Sequence, residues 1–171
     1  MKKGGIILAC LALVALILVV VGCSPPPPVP SDFNLIFKYG VGAKNELNTF
    51  SGTYTKDMIG PPFFIDIRLS LSQEDLSRIW HKMIEKGFFE YPDEFSVFVP
   101  TGGPLITTEP YYNYYFRVEY DAKVKELRWN DSITNKDEQA DKLRALIQLI
   151  WDIIKSKEEY KKLPEPTSAY S

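Results

Sequence analysis

Apolar residues recur along this chain with two periods, and each change of period marks an element. From Phe33, the set Phe33, Leu35, Phe37 and Tyr39 alternates with Asn34, Ile36 and Lys38, the period of two expected of a strand with one buried face. Gly40 and Gly42 mark a turn, and Glu46 to Lys56, rich in Thr, Tyr and Phe, reads as the returning strand of a hairpin with a bulge at Gly52. Phe63, Ile65, Ile67, Leu69 and Leu71 then alternate with Phe64, Asp66, Arg68 and Ser70, the clearest strand pattern in the chain. Ser72 followed by Asp75 has the form of a helix cap with an acidic first turn; Leu76, Ile79, Trp80, Met83 and Ile84 follow at helical spacing, and Gly87 supplies the stop. Tyr112, Tyr114, Phe116, Val118 and Tyr120 alternate again and pair through Asp121-Ala122-Lys123 with Val124 to Trp129. A last helix opens near Asn135 to Asp137 and carries Leu143, Leu146, Ile147, Ile150, Trp151 and Ile154 as a wide apolar stripe, and Pro164 and Pro166 end it. The order β-β-β-α-β-β-α predicts an α+β domain: a mostly antiparallel sheet of about five strands with two helices packed on it.

The N-terminus follows neither period. Lys2 and Lys3 precede an unbroken apolar run from Ile6 to Val21, the order of charges and hydrophobic residues found in a secretory signal helix. As a helix this run would rise roughly 24 Å, short of the roughly 30 Å hydrocarbon layer, although flanking residues can extend it into an uncleaved anchor. Val20-Val21-Gly22-Cys23 follows, and it resembles the lipobox of bacterial lipoproteins at all four positions. The resemblance implies cleavage between Gly22 and Cys23, a diacylglyceryl group on the Cys23 sulfur, and Cys23 as the mature N-terminus. The other reading of Cys23 is a packing residue at the end of a membrane helix. Both place the remainder outside the cytoplasmic membrane, and the first attaches it to the membrane's outer face through lipid alone.

Residues 24 to 31 hold five of the chain's 13 prolines, a composition that favours polyproline II and suits a stiff tether. The expected organisation is therefore a signal peptide over residues 1–22, a lipidated cysteine and tether over 23–32, one domain over 33–163, and a disordered tail over 164–171. The segment from Tyr39 to Phe50, the run from Gly52 to Asp57, and the ending Lys157-Glu158-Glu159-Tyr160-Lys161-Lys162-Leu163-Pro164 resemble uncharacterised lipoproteins of Gram-positive bacteria. That resemblance implies lineage and location, and it carries no activity or binding residue with it.

Composition removes several function classes. At 171 residues and 45% hydrophobic, the chain supports one core and not several. Its 20 basic and 22 acidic residues are too evenly balanced for a protein that binds nucleic acid by phosphate neutralisation. Of the two cysteines, Cys10 lies in the signal and Cys23 is the lipid site, so no disulfide, thiolate metal site or cysteine nucleophile is expected after processing. One histidine, His81, excludes His-rich zinc sites, and it reads as a residue on the flank of its helix.

Candidate chemistry is sparse. Gly40-Val41-Gly42-Ala43-Lys44 lacks the spacing of a phosphate loop, and Asp131, Asn135 and Asp137 lack the glycine and ligand positions of a calcium loop. No cofactor or metal is expected. Tyr111, Tyr112, Tyr114, Tyr115 and Tyr120 crowd into one segment, and a strand cannot bury both of its faces here. Tyr111, Tyr112, Tyr115 and Arg117 are accordingly candidates for contact with an envelope protein or cell-wall glycan, with plain cross-strand packing as the alternative. The long loop from Tyr91 to Pro110 is either the rim of such a surface or an extension of the core. These features favour a non-enzymatic binding or interaction module. The alternative is a small cell-wall hydrolase that uses Glu90, Asp93, Glu94 or Glu109 as its carboxylates.

Overall fold

The structure is a computed structural model that describes residues 27–170. The signal segment, Gly22 and Cys23 lie outside the described residues. One mixed sheet of seven strands carries the domain: β1 (Asn34–Tyr39), β2 (Asn45–Asn48), β3 (Thr53–Asp57), β4 (Phe64–Arg68), β5 (Glu94–Phe95), β6 (Asn113–Tyr120) and β7 (Lys123–Asn130). Their order across the sheet is β4-β3-β2-β1-β6-β7-β5, and every pair is antiparallel except β5 with β7. Helices α1 (Gln73–Glu85), α2 (Glu138–Ser156) and α3 (Glu158–Lys161) complete the α+β fold.

The period-two pattern explains which face is covered. Leu35, Phe37, Tyr39, Leu47, Tyr54, Tyr114, Phe116, Val118, Leu127 and Trp129 are buried, against Ile79, Trp80 and Met83 of α1 and Leu143, Leu146, Ile150 and Ile154 of α2. Both main helices start where a side chain can accept the first unpaired amides. Ser72 and Asp75 form a reciprocal capping box on α1, and Asp137 Oδ1 accepts the Ala140 amide on α2. Asp75 also accepts a hydrogen bond from Lys157, which ties the start of α1 to the end of α2. Burial alone would raise the Asp75 carboxyl, but the bonds from Lys157 and Ser72 outweigh it and hold the group below its ordinary value.

Four details differ from expectation. The strand expected over Glu46 to Lys56 is two strands, because Asn48 Oδ1 accepts the amides of Phe50 and Ser51 and turns the chain, and Gly52 sits at φ +64 in that turn and not in a bulge. The Phe63 to Leu71 pattern is paired only over Phe64–Arg68 and forms a sheet edge; Phe63 stays 63% exposed, while Leu69 is buried. Tyr91, Phe95 and Val97 from the long loop join the core, and β5 adds the one parallel pair. Lys157 stops α2, and the third helix follows it.

Both ends of the domain are tied down. Val29 packs against the core, and the Pro27 carbonyl accepts the indole N–H of Trp80 at 3.4 Å and lies 3.2 Å from His81 Nε2. The distal half of the expected tether is thus seated on α1. At the other end, in the tail expected to be disordered, Pro164 and Tyr170 bond Lys56 and Asp57 of β3, with the contacts described next.

Candidate functional site

Two adjoining clefts open where β1 ends. Gly40, at φ +97, lets the chain leave the strand into a turn over Val41–Ala43; a Cβ there would stand 2.8 Å from Asn45 Nδ2. The Gly40 carbonyl accepts the amides of Ala43 and Asn113, each at 2.9 Å, which holds the end of β1 against the start of β6. Asn45 joins the neighbouring strand ends: its Nδ2 donates to the Tyr39 carbonyl at 3.2 Å, and its Oδ1 accepts the Asp57 amide at 3.0 Å.

The larger of the two clefts has a volume of 310 Å³ and is walled by Tyr39, Tyr112, Trp151 and Tyr160, with the buried Lys56 and Asp57 also lining it. Tyr39 and Tyr54 share a hydrogen bond of 2.6 Å between their hydroxyls. Burial pushes both phenols well above their ordinary values, so they keep their protons and act as hydrogen-bonding groups, not bases. Lys56 points to the covered face and is only 4% exposed. Its ammonium donates to the Pro164 carbonyl at 2.8 Å, lies 3.5 Å from a Glu165 carboxylate oxygen and stands 5.3 Å from the centre of the Tyr160 ring. Asp57 accepts the Ile59 amide at 3.0 Å and the Tyr170 hydroxyl, which in turn accepts Lys44 Nζ at 2.9 Å. Glu165, Pro166 and Tyr170 thereby form one wall of the cleft.

The second cleft, of 220 Å³, shares Tyr39, Tyr112 and Trp151 with the first. Arg144, Ile147, Gln148 and Trp151 line it at successive turns of one face of α2. The Arg144 guanidinium grips Asp131 with two bonds, of 2.6 and 3.2 Å. Asp131 therefore serves that pairing, while Asn135 bonds Pro104 and Ile106 and Asp137 caps α2. His81 lies on α1 with its Nδ1 3.4 Å from Ser77 Oγ, away from both clefts.

The four aromatic and basic candidates are not brought together. Tyr112, 44% exposed, stands between the two clefts, and Tyr111 lines a separate groove with Val41, Glu109 and Pro110. Tyr115 and Arg117 lie on the opposite, open face of the sheet. There the Tyr115 hydroxyl donates to Glu126 at 3.0 Å beneath the Arg128 guanidinium, and Arg117 pairs with Glu119 at 2.6 Å. The acidic candidates are also dispersed: Asp93 pairs with Lys125, Glu94 pairs with Arg128, and Glu90 and Glu109 line different grooves. Among the described residues no group of His, Cys, Asp and Glu can hold a metal ion, and no helix is long and apolar enough to cross a membrane.

The residues missed from sequence are Tyr39, Lys56, Asp57, Trp151, Tyr160 and Tyr170. One signal was present: Lys56 takes the same parity as Tyr54 and so interrupts a buried face with a charge, which requires a partner. The partner lies 108 residues away, in a stretch that Pro164 and Pro166 mark as the end of structure. No protein-family model matches this chain, and no curated protein matches it.

Proposed function

We propose that this chain is an extracytoplasmic lipoprotein, anchored to the outer face of the cell membrane through Cys23, whose domain acts as a binding module. The cleft walled by Tyr39, Tyr112, Trp151 and Tyr160 carries the binding reading, because it joins flat apolar walls to a few fixed polar groups, the composition of a small-molecule site. The apolar run ending in Val20-Val21-Gly22-Cys23 supports the anchor. Dispersal of Glu90, Asp93, Glu94 and Glu109 favours binding over the hydrolase alternative, which needs two carboxylates facing one bond.

The seating of Pro27 on α1 supports one orientation of that anchor. Four residue steps separate Cys23 from Pro27 in the sequence, a reach of at most about 14 Å for an extended chain. Trp80, which holds Pro27, packs on Phe33 and Tyr120 at the start of β1 and the end of β6. The cleft sits at the other end of β1, roughly 17 Å further along the strand. In this reading the start of β1 faces the bilayer and the cleft opens away from it.

Intact-mass measurement on protein purified from membranes tests the anchor. A chain beginning at Cys23 and carrying a diacylglyceryl group is expected, with Cys23→Ser accumulating as uncleaved precursor. A full-length chain with an unmodified Cys23 would replace the lipid anchor by a membrane helix.

A further inference from the structure

We infer that the paired clefts take an uncharged saccharide, one pyranose ring against the Tyr112 and Trp151 walls, supplied by a glycan on the outer side of the membrane. This names the ligand class of the binding reading above and rests on it.

Three observations carry the inference. The first is shape: Tyr39, Tyr112 and Trp151 belong to both clefts, so the ligand meets ring surfaces over its length, and the larger volume alone reaches the lower end of the roughly 300–1,000 Å³ typical of small-ligand sites. Pyranose rings present flat C–H faces to aromatic π clouds while their hydroxyls remain at the ring edge. Here the Tyr112 phenol, the Gln148 side-chain oxygen and the exposed Glu165 carboxylate stand around the aromatic walls to meet such hydroxyls.

The second is charge. Every charged residue lining the two clefts is engaged by the protein itself: Lys56 with Pro164 and Glu165, Asp57 with Ile59 and Tyr170, and Arg144 with Asp131. An anion drawn to Lys56 would have to displace Pro164 and Glu165 from its buried ammonium, and one drawn to Arg144 would have to compete with Asp131 and Asp141. A neutral polar ring leaves them intact.

The third is position. The clefts lie at the end of β1 opposite to the seat of Pro27, so in a protein anchored through Cys23 they would face away from the lipid headgroups. This favours a wall glycan over a membrane glycolipid as the source.

The test uses the full chain in detergent micelles with three defined probes: the trimers of N-acetylglucosamine, of β-1,4-linked glucose and of α-1,4-linked glucose. Saturation-transfer NMR and tryptophan fluorescence report binding, and the mass of the same preparation reports Cys23 acylation. At least one trimer is expected to bind, with saturation transferred to its ring C–H protons. Tyr112→Ala, at an exposed rim position, should weaken that binding about tenfold without changing the melting temperature. Trp151→Phe keeps a ring in the wall and should weaken it less. Failure of all three trimers, or binding indifferent to both variants, overturns the saccharide assignment. An acylated protein that binds no trimer loses this inference alone, whereas an unacylated one loses the anchor.

Discussion

The ammonium of Lys56, in the third strand, donates a 2.8 Å hydrogen bond to the carbonyl of Pro164, beyond the last helix. A lysine on the covered face of a sheet is tolerated only when its charge is met, and here the C-terminal segment meets it. Truncation after Leu163 should therefore destabilise the domain by about 1.5–3 kcal/mol, the range for a hydrogen bond to a charged group. In a Lys56→Met background the same truncation should cost markedly less. Urea unfolding of the four proteins measures the coupling, and equal costs in both backgrounds would dissociate Lys56 from the tail.

The elements that carry local periodicity were readable in advance, and those set by distant partners were not. Both main helices, β1 and the β6–β7 hairpin follow from apolar spacing and caps. The β2–β3 turn was obscured because Phe50, an apolar residue at its tip, looks like a strand residue, although Asn48 is the group that turns the chain. Tyr112 was visible as part of an aromatic cluster. Trp151 was visible only as part of a helix stripe, because nothing local shows that it faces Tyr39 across a cleft. The place of Pro164 to Tyr170 depends on Lys56, Asp57 and Lys44, more than a hundred residues earlier.

Asp75 gives stability a defined acid dependence. Its folded value is depressed by Lys157 and Ser72, so its contribution is complete above the unfolded carboxyl value of about 3.9 and is lost as pH falls from there through the folded value. Asp75→Asn should cost about 1–2 kcal/mol at pH 7. The gap between wild type and variant should narrow as the pH is lowered to about 2. A gap that is constant with pH would show that the capping geometry matters and the charge does not.

The turn joining β6 to β7 holds Asp121 at φ +48 and Ala122 at φ +56, while Asp32 accepts both of their amides, at 2.9 and 2.8 Å. Two central residues at positive φ suit a type I′ hairpin, but alanine adopts that conformation only with strain. Ala122→Gly should raise stability by about 1 kcal/mol, seen as a higher thermal midpoint. An unchanged or lower midpoint would mean that the alanine is not strained there.

The long loop divides at Val97. Phe95 is buried and stacks edge-on against Tyr91 and Trp129, whereas Phe98 is 75% exposed. Replacing Phe98 to Leu105 with a short Gly-Ser link should leave a cooperative thermal transition. Phe95→Ala should cost about 3–5 kcal/mol. Comparable losses in the two variants would place the outer part of the loop in the core as well.

Presentation of the cleft away from the membrane, on a short lipid anchor, is the central claim, and depth-dependent quenching on vesicles tests it most directly. In the proposed mature chain, which would begin at an acylated Cys23 and lack Cys10, Lys123→Cys and Thr167→Cys each introduce a single reactive thiol, at the Pro27 end of the sheet and beside the cleft respectively. Fluorophores on these thiols, in acylated protein bound to vesicles of nitroxide-headgroup lipid, are predicted to be strongly quenched at residue 123 and nearly unquenched at residue 167. Equal quenching at the two positions, or stronger quenching at 167, would contradict the account.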